Sequence, residues 1–394
     1  MDTIKNLISD HSKNWNQGIQ GMREMVLANL VMVSQIPAPS FSEEQRAAFV
    51  HDRFIESGIS DPYIDDIGNV IGHIKGKNSN RKILVSAHMD TLFDSNVDHN
   101  VTITTDRATG TGIADNAMGL TVLLSLPDIL ERLDLDFDGD ILLLATAASK
   151  EKGDLAGMRH YMDRYNEQVD FNVNLEGISL GQVDHFALSR VRCDIECAMD
   201  AKEHSSWRSV EQHSAIMMLN DVMDSLFAIP IPRKPKTLLN IGRITGGNSY
   251  SRICENAKLS LEVRSEDDRI TQKLIEDIQD NCRDIAANYG LEINLNFFSR
   301  HHAAGIRFSH PMVKTVSTIL KELDIQLKVS PSNSEIAVPL KYGIPSITLG
   351  ITTGAEDRGG KTSHVQLEPI SKGILQLLLL LKAIDQGHCD DEFK

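Results

Sequence analysis

The sequence predicts an α/β protein: an open, largely parallel sheet covered by helices, with a second α+β domain set into it. Three observations lead there. Short apolar runs bounded by polar residues recur at Ile83–Val85, Ile141–Ala147 and Phe171–Leu175. Runs of that length without alternation suit parallel strands buried on both faces. A long apolar helix, Ala117 to Leu133, lies between the first two, which is the strand–helix–strand rhythm of a parallel sheet. The rhythm changes near Ala187. From there strands at Val191–Met199, Thr237–Ile244, Ala257–Val263 and Leu291–Phe298 share the chain with helices at Ser209–Phe227 and Arg269–Ala287. Two β-α-β units of this kind make a four-stranded sheet with two helices on one face. A chain of 394 residues is also too long for one ordinary core. The expected division is a first domain over 1–185 and 302–394, interrupted by a second over 186–301.

Composition narrows the function classes. With 41% hydrophobic and 24% charged residues the chain reads as globular. A formal net charge of −15 argues against a nucleic-acid or anionic-membrane partner, either of which wants a basic patch. The N-terminus has no basic segment followed by an apolar stretch, so no signal peptide is expected. Apolar runs such as Ile374–Leu381 fall short of the ~20 residues of a membrane span. The five cysteines include no C-x-x-C pair and suit reduced thiols in a cytoplasmic protein. Cys193 and Cys197 are expected to pack in a core.

Taken in order, Met22–Ile36 has helical apolar spacing and ends at Pro37 and Pro39. Ser42-Glu43-Glu44-Gln45 reads as a capping box before a helix over Gln45–Ser57, stopped by Gly58. Gly68–Gly72 is expected as a strand beside the His88 strand. The first twenty residues have no assigned place; Trp15 is a candidate to anchor them on the surface. His88 and Asp90 fall at the carboxyl end of the Ile83–Val85 strand, on one side of the pleat because their spacing is two. Ligands in open α/β sheets bind outside such strand ends. Gly110 and Gly112 then bend the chain. Asp115 opens the Ala117 helix, a favourable place for a carboxylate. Glu176-Gly177 ends the Phe171 strand, and the final helix, Pro369–Asp385, carries an apolar stripe.

His88-Met89-Asp90 at a strand end, followed by Gly112-x-x-Asp115-Asn116-x-x-Gly119 opening a helix, resembles the signature of the di-zinc exopeptidases and deacylases. This is metallopeptidase family twenty, which includes carboxypeptidase G, peptidase T, acetylornithine deacetylase and succinyl-diaminopimelate desuccinylase. The resemblance implies a three-layer sandwich with a mixed sheet, carrying an inserted ferredoxin-like lid that often serves dimerisation. It implies one metal on His88, Asp115 and Glu176, and a second on Asp115, His364 and a glutamate from the loop after Ala147. Asp90 would orient His88. His204 and Arg264 match lid positions, the former facing substrate across a dimer. Glu335, where the family commonly has aspartate, falls in a loop that meets the substrate carboxylate. Zinc is the implied cofactor, one or two per chain, with cobalt or manganese as substitutes. The partners would be a small peptide or N-acyl amino acid and a second copy of the chain.

The departure from the family is local. The family carries two adjacent glutamates after the strand that ends at Ala147, a general acid/base and a metal ligand. Aligned without a gap on Gly153-Asp154-Leu155-x-Gly157, those positions fall on Ser149 and Lys150; shifted by one, on Lys150 and Glu151. Either way the acid/base carboxylate is missing. A second departure is Ser251, where an asparagine is usual. Two functions stay open: a metal-dependent amide hydrolase with impaired or unusual catalysis, and an inactive relative that keeps a metal- or ligand-binding scaffold. In the ungapped register the Lys150 ammonium is expected near the second metal position, leaving room for one metal at most.

Overall fold

The computed structural model describes residues 2–199, 214–250, 252–332, 334–357 and 362–391. The chain forms two compact units, Met1–Ala187 with Gly305–Lys394, and Leu188–Ala304. His204 and Ser251 lie outside the described residues.

The first unit is built on a seven-stranded sheet. Its order is Tyr63–Ile64, Val70–Ile74, Asp140–Thr146, Lys82–His88, Phe171–Leu180, Ser346–Gly350, Val183–Asp184. The four middle strands run parallel and the flanking pairs antiparallel, so the sheet is mixed. Ile83, Leu84, Val85, Ile141, Leu143 and Val173 are fully buried, as continuous apolar strands between two helical layers must be. The Val70–Ile74 strand, expected beside the His88 strand, does not neighbour it. Val70–Ile74 pairs with Asp140–Thr146, because the crossover through the Met118–Arg132 helix seats the 140 strand directly beside the 82 strand.

Helices complete the layers. The first twenty residues form a helix, Asp2–Gly21, whose Ile4, Leu7, Ile8, Trp15 and Ile19 are buried at helical spacing. It packs on the last helix, Ile370–Asp385. Trp15 therefore belongs to the core, with His11 stacked on it at 4.7 Å. The stretch Ile113–Arg132 is long and apolar enough to cross a membrane, longer than the sequence reading allowed, but 89% of it is buried inside the domain. The capping box also does not form. The helix starts at Glu44 with no side-chain cap at Glu43. Instead the Glu43 carboxylate turns inward and accepts the Ala148 amide at 2.8 Å.

The second unit is a four-stranded antiparallel sheet, ordered Thr237–Gly246, Asn256–Ser265, Ser189–Ala198, Ile293–His301. Helices Ala215–Ala228 and Asp268–Tyr289 pack on it. Its own core gathers Ile195, Leu219, Val222, Leu259 and Ile278 with the buried Cys193, Cys197 and Cys282.

Candidate metal centre

The centre forms where the parallel strands end. His88 is the last residue of its strand. Its Nδ1 lies 3.3 Å from Asp90 Oδ1 and 3.1 Å from the Asp90 carbonyl oxygen. Its Nε2 lies 3.0 Å from Asp115 Oδ1 and 4.0 Å from Glu176 Oε2. Ligand atoms of His88, Asp115 and Glu176 all fall within 4.8 Å of one another.

Local backbone chemistry aims each of these groups. Asp115 is not an N-cap: it sits in an irregular segment, Ile113–Ala117, at φ −138° and ψ 90°, three residues before the regular helix. The Asn116 amide pins that segment by donating to the Leu175 carbonyl at 2.8 Å. Glu176 does not end its strand, which runs on to Leu180. The pairing with Ser346–Gly350 jumps from Leu175 to Leu180, and such a bulge re-aims the side chains it carries. Gly177 is required there, because a Cβ would stand 2.2 Å from the Ala114 carbonyl oxygen.

Asp90 is fully buried and its second oxygen is saturated. It accepts from Ser40 Oγ at 2.5 Å, the Ser149 amide at 2.9 Å and the Lys150 amide at 2.7 Å. Burial opposes its ionisation, but His88, Ser40 and these amides hold its carboxyl below the usual range. One carboxylate thus orients His88 and also docks the loop that departs from the family. That loop is tightly wound: Ala148, Glu151, Asp154 and Leu155 all have positive φ, between 45° and 60°. Non-glycine residues there carry backbone strain, of the kind found at working sites.

The loop geometry separates the two registers. Lys150 turns into the cleft and donates to both oxygens of Asp115, at 2.6 and 2.5 Å. Glu151 is exposed and is not among the described residues lining the cleft. His364 is half-buried on the Ser363–Gln366 strand, opposite Thr109 and Ala355, and likewise does not line it. Arg264 belongs to the other unit, where it donates to Glu262. Glu335 is buried, with Ser149 Oγ donating to its Oε1 at 2.6 Å and Thr146 Oγ1 donating to the same oxygen.

Three supporting residues carry no site role in the sequence pattern, where Glu43 reads as part of a capping box. Ser40 holds Asp90, Glu43 holds the Ala148 amide, and Arg46 braces the strand end. Arg46 is 1% exposed and donates to the Met89 carbonyl at 2.6 Å and to the Ile36 carbonyl at 3.1 Å. Burial lowers its guanidinium to about 10, offset by Asp90 and Glu43, so it stays charged. The available signal was its place on the apolar stripe Arg46, Ala47, Val50, Phe54, where a charge needs buried acceptors.

The cleft encloses roughly 1020 Å³ including its open mouth, space for a small peptide. Burial pushes Glu176 up to about 7, with His88 and Lys150 opposing and Asp115 reinforcing the shift. Burial also resists charge on Asp115, yet Lys150 and His88 hold its carboxyl far below the usual range. Burial and Lys150 disfavour a charged His88, but its hydrogen bonds to Asp115 and Asp90 outweigh them and raise its imidazole to about 10. One imidazole and two carboxylates converging on an open cleft fit a divalent ion such as zinc. Both Asp115 oxygens already accept from the Lys150 ammonium, and His364 is not in the group that His88, Asp115 and Glu176 form among the described residues.

The model for Peptidase family M28 matches residues 69–224, and a peptidase dimerisation domain model matches 191–290. An uncharacterised Bacillus subtilis protein, YqjE, is 22% identical over 365 residues, covering 88% of this chain and 95% of its own. Among solved structures, an M20 family metallo-carboxypeptidase from Sulfolobus solfataricus superposes with a TM-score of 0.77 at 13% identity, covering 92% of this chain and 99% of its own. Aminopeptidase PepT from Bacillus cereus gives 0.72 at 17%, covering 92% and 98%. The M28 match ends within the inserted unit, and the dimerisation-domain match lies inside that unit.

Proposed function

We propose that the chain is a metallopeptidase of the M20 type, a metal-dependent hydrolase of the amide bond in small peptides or N-acyl amino acids, working with one divalent ion per chain. The convergence of His88, Asp115 and Glu176 at the floor of the cleft carries this reading. Solved structures of similar fold include an aminopeptidase, a metallo-carboxypeptidase and the dipeptidase Dug1p, which supports a small peptide substrate. The matched dimerisation domain supports a homodimer.

When bound, a divalent ion polarises a carbonyl and lowers the pKa of water. The chain's own residues do the rest. Asp90 fixes the His88 ring so that Nε2 faces the cleft. Lys150 keeps a fixed positive charge on Asp115, in the position where the family's second metal would sit. A cation there satisfies the bridging carboxylate and repels a second ion.

The inactive-scaffold reading is favoured by one observation: Ser149, not a carboxylate, follows Ala148. The deciding experiment is zinc per chain after equilibration and removal of free metal, alongside hydrolysis of a dipeptide and N-acyl amino-acid panel. One zinc with turnover is expected. One zinc with no turnover on any substrate selects the scaffold reading, and no zinc overturns both.

A further inference from the structure

The Ser149 loop, which lacks the family's acid/base carboxylate, meets a carboxylate from another segment. Glu335 reaches Ser149 from a segment 186 residues away, taking the Ser149 hydroxyl hydrogen bond on Oε1. Its Oε2 is buried with no hydrogen-bond partner among the described residues, although the residue lines the cleft with His88, Asp115 and Glu176. A buried carboxylate oxygen left unpaired is costly and is retained where it works. The side-chain lengths trade across the cleft. Serine stands where the family has glutamate, and glutamate stands where the family commonly has aspartate, so the shortened wall faces a lengthened one.

We propose, resting on the hydrolase reading above, that Glu335 is the proton-handling carboxylate of this site and that the Ser149 hydroxyl carries the proton between it and the cleft. A water gives up a proton to Ser149 Oγ as its oxygen bonds to the substrate carbonyl carbon. The Ser149 proton passes to Glu335, which becomes a neutral carboxyl. When the tetrahedral species collapses, the C–N bond breaks and the same proton returns through Ser149 to the leaving nitrogen. Amide and water become a carboxylic acid and an amine, and Glu335 ends ionised. The charged groups that act on it include His88, Asp90 and Glu176, and Lys150 and Asp115 line the same cleft. Burial, Asp90 and Glu176 favour its protonated form, while His88, Ser149 and Thr146 favour the ionised one, and its carboxyl lies above the usual range. A base poised upward from ordinary carboxylates is better matched to neutral pH.

The test uses the zinc-equilibrated full chain, its peptide kinetics, and calorimetry of a phosphinic dipeptide, a mimic of the tetrahedral species, in two buffers of different ionisation enthalpy. Glu335→Gln keeps the shape and still accepts from Ser149. It is expected to lower kcat roughly 100-fold with little change in KM, and to abolish the proton taken up when the phosphinate binds. The double variant S149E/E335Q is expected to recover at least a tenth of the wild-type kcat, which a merely structural role of Glu335 would not allow. Wild-type kcat and proton uptake in E335Q would overturn the proposal and leave the hydrolase reading standing. A wild type that neither hydrolyses peptides nor binds the phosphinate overturns both. If E335Q does not fold, Ser149→Ala decides: reduced kcat and lost proton uptake support the relay, unchanged values sink it.

Discussion

The Lys150 ammonium donates to both carboxylate oxygens of Asp115, at 2.6 and 2.5 Å, within a cleft whose other cation is His88. A lysine there acts as a permanent, untransferable counter-charge for the carboxylate that metals would bridge. Replacing it should change metal stoichiometry. Lys150→Glu is expected to raise bound zinc from one to two equivalents, read by elemental analysis. Two equivalents in the wild type would exclude the lysine as a substitute for an ion.

Asp90→Asn should weaken metal binding without emptying the cleft. The amide keeps the shape but cannot stabilise the His88 ring as a carboxylate does, nor accept three donors on one anionic oxygen. Loss of such an outer partner costs about 10–100-fold in metal affinity, measurable by competition with a chromophoric chelator. An unchanged affinity would show that the His88 orientation is set elsewhere.

Metal affinity should fall with falling pH. A metal must displace the proton of Glu176, whose carboxyl burial raises to about 7, and that of His88, whose hydrogen bonds to Asp115 and Asp90 overcome burial to hold it near 10. Both folded values are raised, so the metal-free site holds extra protons below them. The logarithm of affinity should gain about one unit per pH unit between 7 and 10, and about two below 7. Glu176→Gln should remove the steeper limb.

Arg46→Met should destabilise the domain rather than alter chemistry. It leaves the Met89 and Ile36 carbonyls without their donor and the buried Asp90 and Glu43 without their cation. The expected loss is about 3 kcal/mol, read as a lower midpoint in denaturant with zinc absent. A midpoint within error of wild type would assign the bracing to Ser40 and Glu43 instead.

Much of this arrangement was legible along the chain because it is local. Unbroken apolar runs at Ile83, Ile141 and Phe171 leave a buried parallel sheet as the way to hide them on both faces. Side-chain alternation puts His88 and Asp90 on one side of a strand end, and the gap pattern from Gly112 to Gly119 marks the turn that presents Asp115. The missing glutamate, too, is a statement about residue identity alone. What sequence left open was register and direction. Whether Lys150 or Glu151 enters the cleft depends on positive-φ turns at Ala148 and Glu151 and on the two amides Asp90 collects from the loop. Spacing cannot register such turns. The Asp2–Gly21 helix was equally illegible, because its apolar stripe gains a place only against the Ile370–Asp385 helix at the far end of the chain. Glu335 meets Ser149 across 186 residues. Only the closure of the sheet brings two such distant segments to one cleft, so the carboxylate missing from one loop could be found on another only in three dimensions.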